Sequence, residues 1–342
     1  MRMAALATAG VLALSACGTD DTDTDGDTDT SPESEVKIGM AYDVGGRGDQ
    51  SFNDSAAAGM DRAVEDFGMT SQESEAEDGE PESAREERLR TFAEAGFDPI
   101  FAVGFAYAGA VAKVAPEYPD VHFAIIDDES IDEPNVADLV FAEEQGSFLV
   151  GAAAALKSET GHIGFVGGVE VPLIQKFEAG YVAGAEAVNP DIRVDITYLT
   201  QAPDFSGFAD PAKGKTAAEG MYDAGADIVY HAAGGSGGGV FEAASESENW
   251  AIGVDSDQYE TADPSVQDVV LTSMLKNVDV AVYEYLTAVN DGEFPSGVTR
   301  YDLSVDGVGY STSGGFVDDI TDQLDDYKQQ IIDGEIEVPA TP

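Results

Sequence analysis

A single cysteine, a single tryptophan and three histidines in 342 residues leave little material for redox or metal chemistry. Cys17 is the only thiol, so an intrachain disulfide and a multi-cysteine metal site are excluded, and its place at the end of an N-terminal apolar run argues against a catalytic role. His122, His162 and His231 share no metal-ligand spacing, and the paired aspartates have no nucleophile near them. No metal, no cofactor and no catalytic constellation is therefore expected. Positive charge is equally scarce: 16 Lys and Arg face 67 Asp and Glu, a net charge of −51. A surface of that sign repels nucleic acid and anionic lipid, which removes both as recognition targets. The acids run through the body of the chain, from Glu73 to Glu87 and from Asp302 to Asp326, so an acidic tail on an ordinary protein does not account for them. The balance predicts a halophilic protein. At multimolar salt the screening length falls to about 3 Å or below, and the self-repulsion of such a surface is largely removed.

Met1 to Ala16 carries Arg2 and an apolar run through Leu14, far short of the ~20 residues a helix needs to cross a bilayer. It ends in Leu14-Ser15-Ala16-Cys17-Gly18, which resembles the lipobox of secreted lipoproteins. That resemblance makes residues 1–17 a signal segment, Cys17 the lipidation site, and the extracytoplasmic face of the cell membrane the expected location. Residues 18–35 alternate Thr and Asp with no large apolar side chain, which predicts a disordered acidic tether.

From Val36 onward the chain has what a two-domain α/β protein needs, including 43% hydrophobic residues overall. Val36 to Tyr42 reads as an apolar strand. It runs through Asp43 into a loop with Gly45, Gly46 and Gly48, then into a helix from about Ser55 to Phe67, with Ser51 or Asn53 as its cap. In open α/β sheets this strand-to-helix turn is where ligands collect. A phosphate-binding reading fails on spacing, because Gly46-Arg47-Gly48 is followed by Ser51 where a third glycine belongs, and no GKS or GKT follows. Strand and helix patterns then alternate, with strands at 99–103, 122–126 and 136–141 and the acidic stretch Ser71 to Glu80 reading as a lengthened loop. The alternation starts again after Phe141, with strands at 163–167, 192–199, 228–232 and 250–254. Two tandem halves predict two lobes and a cleft between them. The late segments 269–274, 278–290 and 299–305 are too many for one lobe, so crossings are expected near Phe141, Val269 and Thr299: 36–141 plus about 270–298 in lobe 1, 142–269 plus about 299–342 in lobe 2.

Several stretches together resemble one family: Asp43-Val44-Gly45-Gly46 with Asp49-Gln50-Ser51-Phe52-Asn53, then Gln175 to Tyr181, Asp210 to Lys215, Val229 to Gly237, Gly253 to Gln258 and Thr272 to Lys276. They are similar in order and spacing to the basic membrane protein family of ABC-transporter substrate-binding lipoproteins, whose best-known members are purine nucleoside receptors. The resemblance implies a type I periplasmic-binding-protein fold of two Rossmann-like lobes joined by three hinge crossings, with a nucleoside in the cleft. It implies Phe52 and Phe208 stacked on the two faces of the base, Asp43, Asn53 and Asp127 on its polar edges, and Gly234, Asp255 and Lys276 on the ribose hydroxyls. Asp49 and Phe177 complete the expected ligand-binding set. A neutral sugar calls for paired acceptors and donors rather than a basic cradle, which these residue types supply. Gly48 departs from the family, which commonly carries Asn before the acid at Asp49. The implied partners are an ABC permease and ATPase, with the membrane reached through the lipid anchor and the protein itself a monomer. A sugar-binding protein of the same fold and a membrane-anchored nucleoside sensor are the alternatives. A nucleoside hydrolase would need acids clustered for calcium at the end of a folded strand, whereas the densest cluster, Asp20 to Asp29, lies in the tether.

Overall fold

Strands such as Phe123-Ala-Ile-Ile126 and Val136-Ala-Asp-Leu-Val-Phe141 are almost continuously apolar because they are covered on both faces, the condition of a parallel sheet flanked by helices. The computed structural model describes residues 36–342; the expectations placed on Cys17 and on the tether lie outside them. In chain order the elements are β1 (Lys37–Tyr42), α1 (Phe52–Phe67), β2 (Thr70–Glu75), α2 (Glu82–Glu94), β3 (Ile100–Val103), α3 (Ala108–Val114), β4 (Phe123–Ile126) and β5 (Val136–Phe141). Then come α4 (Glu143–Lys157), β6 (His162–Glu170), α5 (Pro172–Val188), β7 (Arg193–Gln201), α6 (Pro211–Asp223), β8 (Ile228–Ala232), α7 (Gly237–Ser247), β9 (Trp250–Asp255) and α8 (Gln258–Thr261). The last are β10 (Val270–Lys276), α9 (Val278–Asn290), β11 (Gly297–Tyr301), β12 (Val308–Tyr310) and α10 (Thr321–Ile332).

Two six-stranded sheets result, ordered β11-β5-β4-β3-β1-β2 and β12-β10-β9-β8-β6-β7. Every named pairing is parallel except β10 with β12. The first crossing between sheets follows Phe141. The other two fall later than the expected Val269 and Thr299. β10 pairs with β9 and belongs to the second sheet, so the chain leaves it after Lys276; β11 pairs with β5 and belongs to the first, so the final crossing follows Tyr301. The lobes are thus 36–141 with 278–301, and 143–276 with 308–332. A strand's apolar pattern shows that it is a strand without saying which sheet it joins.

Ser71 to Glu80, expected to be a loop, contains β2, which pairs in parallel with β1 from Lys37↔Thr70 to Tyr42↔Glu75. Nearly all of β2 is exposed, so the hydrophobic signal of a strand is missing; its ladder with β1 and polar contacts from Arg47 to Glu73 and from Arg88 to Ser74 hold it. In lobe 2, α4 and α5 pack unusually close. A Cβ on Gly151 would sit 2.1 Å from the Tyr181 carbonyl oxygen, and one on Gly184 would sit 1.9 Å from that of Phe148. This contact fixes the N-terminal turns of both helices, which carry Glu143 and Phe177 toward the cleft. Among the described residues no helix is long and apolar enough to cross a membrane.

Candidate functional site

The glycine loop after β1 is organised by Asp49. Its Oδ1 accepts the backbone N–H groups of Ser51 and Asp54, and its Oδ2 accepts those of Asn53's backbone and side-chain amide. Asp49 therefore does the capping expected of Ser51 or Asn53. The reason is that both of those side chains are used elsewhere: Asn53 Oδ1 accepts from the Asp43 backbone N–H at 3.2 Å, and Ser51 Oγ donates to Asp255 Oδ2 at 2.5 Å. With four donors already on its oxygens, Asp49 shapes the cavity wall while its carboxylate is spent on the loop.

Three more aspartates end strands at the cleft. Asp43 follows β1, Asp127 follows β4 and Asp255 ends β9; the last two adopt φ of 73° and 64°, left-handed backbone that costs a non-glycine residue energy and tends to persist where function requires it. Asp43 Oδ1 accepts from the Val44 N–H at 2.8 Å and lies 3.8 Å from the Arg85 guanidinium, while Oδ2 takes no hydrogen bond from the described residues. Burial pushes its pKa up to about 6 against the opposing Val44 and Arg85. Asp255 is pushed up to about 7 by burial, opposed by Lys276 and Ser51. Burial raises Asp127 as well, although Lys276 touches it.

Lys276, at the end of β10, is 1% exposed. Its ammonium lies 2.6 Å from Asp127 Oδ1 and 3.1 Å from Glu143 Oε1, tying lobe 1 to the start of α4. Burial alone would lower its pKa, but Asp127, Glu143 and Asp255 outweigh burial and hold it above the usual lysine value. The rings of Phe52 and Phe141 surround it at 5.1 Å and that of Phe177 at 5.6 Å from centroid to Nζ, so the cation is enclosed by aromatic faces as well as by carboxylates.

All ten predicted ligand-binding residues, Asp43, Asp49, Phe52, Asn53, Asp127, Phe177, Phe208, Gly234, Asp255 and Lys276, line one cavity between the lobes. Its enclosed volume is about 60 Å³, so the walls stand close together in this structure. Val44, Gly104, Phe105, Leu173, Ile174, Ala232 and Val254 complete its wall. Phe208 reaches the cavity because residue 168 is glycine: a Cβ there would lie 2.4 Å from the Phe208 ring. The lobes meet across the opening through Ser51 and Asp255, through Gln258 Nε2 donating to the Gln50 carbonyl at 3.0 Å, and through the Phe105 and Phe205 rings at 5.7 Å.

Sequence reasoning missed Glu143, Arg85 and Phe105. Glu143 looks like an ordinary acid in the first turn of a helix and Arg85 like a surface residue of an acidic helix, yet they are 0% and 5% exposed. Phe105 follows Gly104 at the end of β3, the strand-end position that marks the other cleft residues. Among the described residues no group of three or more His, Cys, Asp or Glu is placed to hold a metal ion. His231 is fully buried behind the site, and burial lowers its pKa to about 4, leaving it neutral.

Comparison with known proteins places this geometry in a family. Residues 36–342 match the family model described as ABC transporter substrate-binding protein PnrA-like. The chain is 34% identical over 358 residues to the ABC transporter nucleoside-binding protein BmpA of Lactococcus lactis subsp. cremoris, covering 99% of this chain and 98% of that one. It is 35% identical over 362 residues to the CD4+ T-cell-stimulating antigen of Listeria monocytogenes, covering 100% of this chain and 98% of the relative. A solved ABC transporter solute-binding protein from Aeropyrum pernix K1 superposes with a TM-score of 0.78 at 30% identity, over 89% of this chain and 94% of the other. Another, from Conexibacter woesei, gives 0.72 at 26%, over 89% and 99%. The two lobes are therefore those of the type I periplasmic-binding-protein fold, and the chain belongs to the Bmp family of ABC transporter substrate-binding proteins, binding components rather than enzymes.

Proposed function

We propose that the protein binds a nucleoside, a purine nucleoside in the first place, in the cleft between its lobes and delivers it to an ABC permease and its ATPase from a lipid anchor on Cys17. The observation that carries this reading is a cavity flanked by aromatic rings whose open polar groups are acceptors. Phe52 comes from lobe 1 and Phe208 from lobe 2, and a planar base between them gains about 1–3 kcal/mol per stacked ring. Asp43 Oδ2 and Asp255 Oδ1 take no hydrogen bond from the described residues, so a ligand that presents N–H and O–H groups satisfies them. The cavity's one lysine is already neutralised by Asp127 and Glu143, which leaves nothing to balance a phosphate. A nucleoside, not a nucleotide, fits that balance. The name of the Lactococcus relative points the same way.

Mass spectrometry of the small molecule that co-purifies, followed by calorimetry in multimolar KCl with guanosine, adenosine, guanine and ribose, tests the reading. Nucleosides should bind more tightly than either the base or the sugar alone. A preference for free ribose would replace the nucleoside with a sugar as the ligand. For the anchor, Cys17→Ser should release the protein from the membrane or leave its precursor unprocessed, and normal retention of that variant would remove the lipoprotein assignment.

A further inference from the structure

Arg85 is a buried cation with no role in the site as described so far. It projects from α2 behind Asp43, 5% exposed, with one terminal nitrogen 3.8 Å from Asp43 Oδ1 and Nε 3.6 Å from Glu80 Oε1. Its Nε makes no hydrogen bond, although the neighbouring Arg88 takes both Glu80 oxygens at 2.8 and 2.9 Å. The Arg85 guanidinium also lies 5.8 Å from the ring of Tyr107 in lobe 1 and 5.8 Å from that of Phe205 in lobe 2. A charge held this way is costly unless it offsets another buried charge. The group it can offset is Asp43, whose only donor among the described residues is the Val44 N–H and whose Oδ2 is left to the cavity.

We infer that Arg85 is a specificity-determining residue that acts through Asp43: it keeps the Asp43 carboxylate ionised and acceptor-only, so the cleft selects bases whose edge offers an N–H donor. The inference rests on the nucleoside reading above. In its protonated form Asp43 would present an O–H and would suit an acceptor edge instead, so its charge state decides which edge is matched. The other groups facing Asp43 do not substitute for Arg85. Glu80 and Asp127 oppose ionisation, Arg88 is committed to Glu80 and to the Tyr107 hydroxyl, and Tyr107 donates to the Tyr42 carbonyl at 3.0 Å. Asp49 is saturated by its own loop; lobe 2 sets Phe205 and Phe208 against Phe105, and its charged cavity residues Asp255 and Lys276 are engaged with Ser51 and with Asp127 and Glu143. Gly104 serves the same arrangement, since a Cβ there would lie 2.8 Å from Asp43 Oδ2 and close the open acceptor.

Two probes separate the edge from the rest of the ligand. Inosine carries an N1–H on its base, and purine riboside has the same sugar and ring system with no N–H donor on the base. Calorimetry of the full chain in multimolar KCl should show wild-type affinity for inosine falling as the pH drops through about 6, while purine riboside, whose base edge offers only acceptors, holds or gains affinity. Arg85→Met should move that fall upward by a pH unit or more, cutting inosine affinity at pH 7 about twofold for a one-unit shift and about tenfold for a two-unit shift, with no matching loss for purine riboside. Arg85→Lys, which keeps the charge, should restore most of the loss. Equal weakening of both ligands in Arg85→Met with an unmoved pH profile would reduce Arg85 to a structural residue and overturn the inference. Should Arg85→Met fail to fold, a wild-type pH profile identical for the two ligands would overturn it as well. Wild-type protein that binds neither ligand nor any other nucleoside would instead fail the functional reading beneath it.

Discussion

The two lobes are built on one plan and furnish the cleft differently. Strand for strand, β2-β1-β3-β4-β5-β11 corresponds to β7-β6-β8-β9-β10-β12, and the fourth strand of each ends in an aspartate forced into left-handed backbone, Asp127 and Asp255. Beyond that the walls diverge. Lobe 1 presents Asp43, Asn53 and Asp127 around Phe52, whereas lobe 2 presents Leu173, Ile174, Phe177, Phe208 and Val254 around Asp255 and Lys276. The difference indicates that the fold supplies the positions and the lobes divide the labour. On the proposed nucleoside reading, one wall would meet the polar edges of the base and the other its flat face, so the ligand would be fully matched only when both lobes close on it. Even the sixth strand shows the divergence, parallel to its neighbour in lobe 1 and antiparallel in lobe 2.

The largest expected effect comes from removing salt, because it acts on the charge that both lobes carry. In about 50 mM salt the acids are poorly screened, and circular dichroism should show the fold being lost, with ligand opposing the loss because it binds only the folded state. Lobe 1 should open first. Its edge strand β2 carries Glu73 and Glu75 on an exposed face and pairs with β1 alone among the strands, and hydrogen exchange should locate that opening. Retention of full structure at that salt would show that the acids are not an adaptation to salinity.

Next in size is the link between the lobes. Lys276→Met leaves Asp127 as a buried carboxylate without the ammonium that touches it and leaves Glu143 with Lys176 alone, and breaking a buried pair typically costs about 3–5 kcal/mol. Denaturant unfolding at high salt should register it, and adding Asp127→Asn should recover part of the loss. An unchanged midpoint would mean that Lys276 has no structural share in holding the lobes together.

Stacking should be a contribution of both lobes. Phe208→Ala and Phe52→Ala are each expected to weaken nucleoside binding by about 1–3 kcal/mol. If only one of the two does, the base leans on one lobe and the sandwich is wrong. Ser51→Ala is a milder test of closure itself, since it removes the hydroxyl that spans the lobes to Asp255 and should cost about 0.5–1.5 kcal/mol in affinity without touching the base.

Much of this was legible in the sequence for a simple reason. Strand ends are marked by the first polar or glycine residue after an apolar run, as at Tyr42-Asp43, Ile126-Asp127 and Ala232-Ala233-Gly234, and in this fold those ends converge on the cleft. Whatever depends on pairing between distant segments was not legible. The lobe of Val270–Lys276 is decided by β9 alongside it, the strand at Thr70–Glu75 by the backbone of β1, and Asp49's role by the fact that Asp255 lays claim to Ser51. Glu143 and Arg85 gave no signal at all, because an acid at a helix start and an arginine on a charged helix are commonplace until their burial is seen.

The smallest effect sharpens the comparison most, because it separates the two left-handed aspartates by their surroundings. Asp255 has its carboxyl against a hydroxyl, and burial carries its pKa to about 7; Asp127 has an ammonium directly upon it. For a carboxyl raised by folding, the stabilisation is fully present below the unfolded pKa near 3.8 and is lost as the pH rises through the folded value. The ligand-free protein should therefore become less stable between about pH 4 and pH 8 at constant high salt, with Asp255 responsible for part of the slope. Asp255→Asn keeps an acceptor for Ser51 and removes the titration. It should behave like the wild type near pH 5, where Asp255 is already protonated, and be at least as stable near pH 8, where a buried charge has been deleted. Asp127→Asn should do the opposite at neutral pH and above, destabilising because Lys276 loses an ionised partner, with a smaller effect near pH 5, since burial raises the Asp127 pKa as well. Thermal melts of the two variants at three pH values suffice. A parallel response would mean that the two strand-end aspartates are equivalent after all, and that the lobes differ in shape but not in electrostatic design.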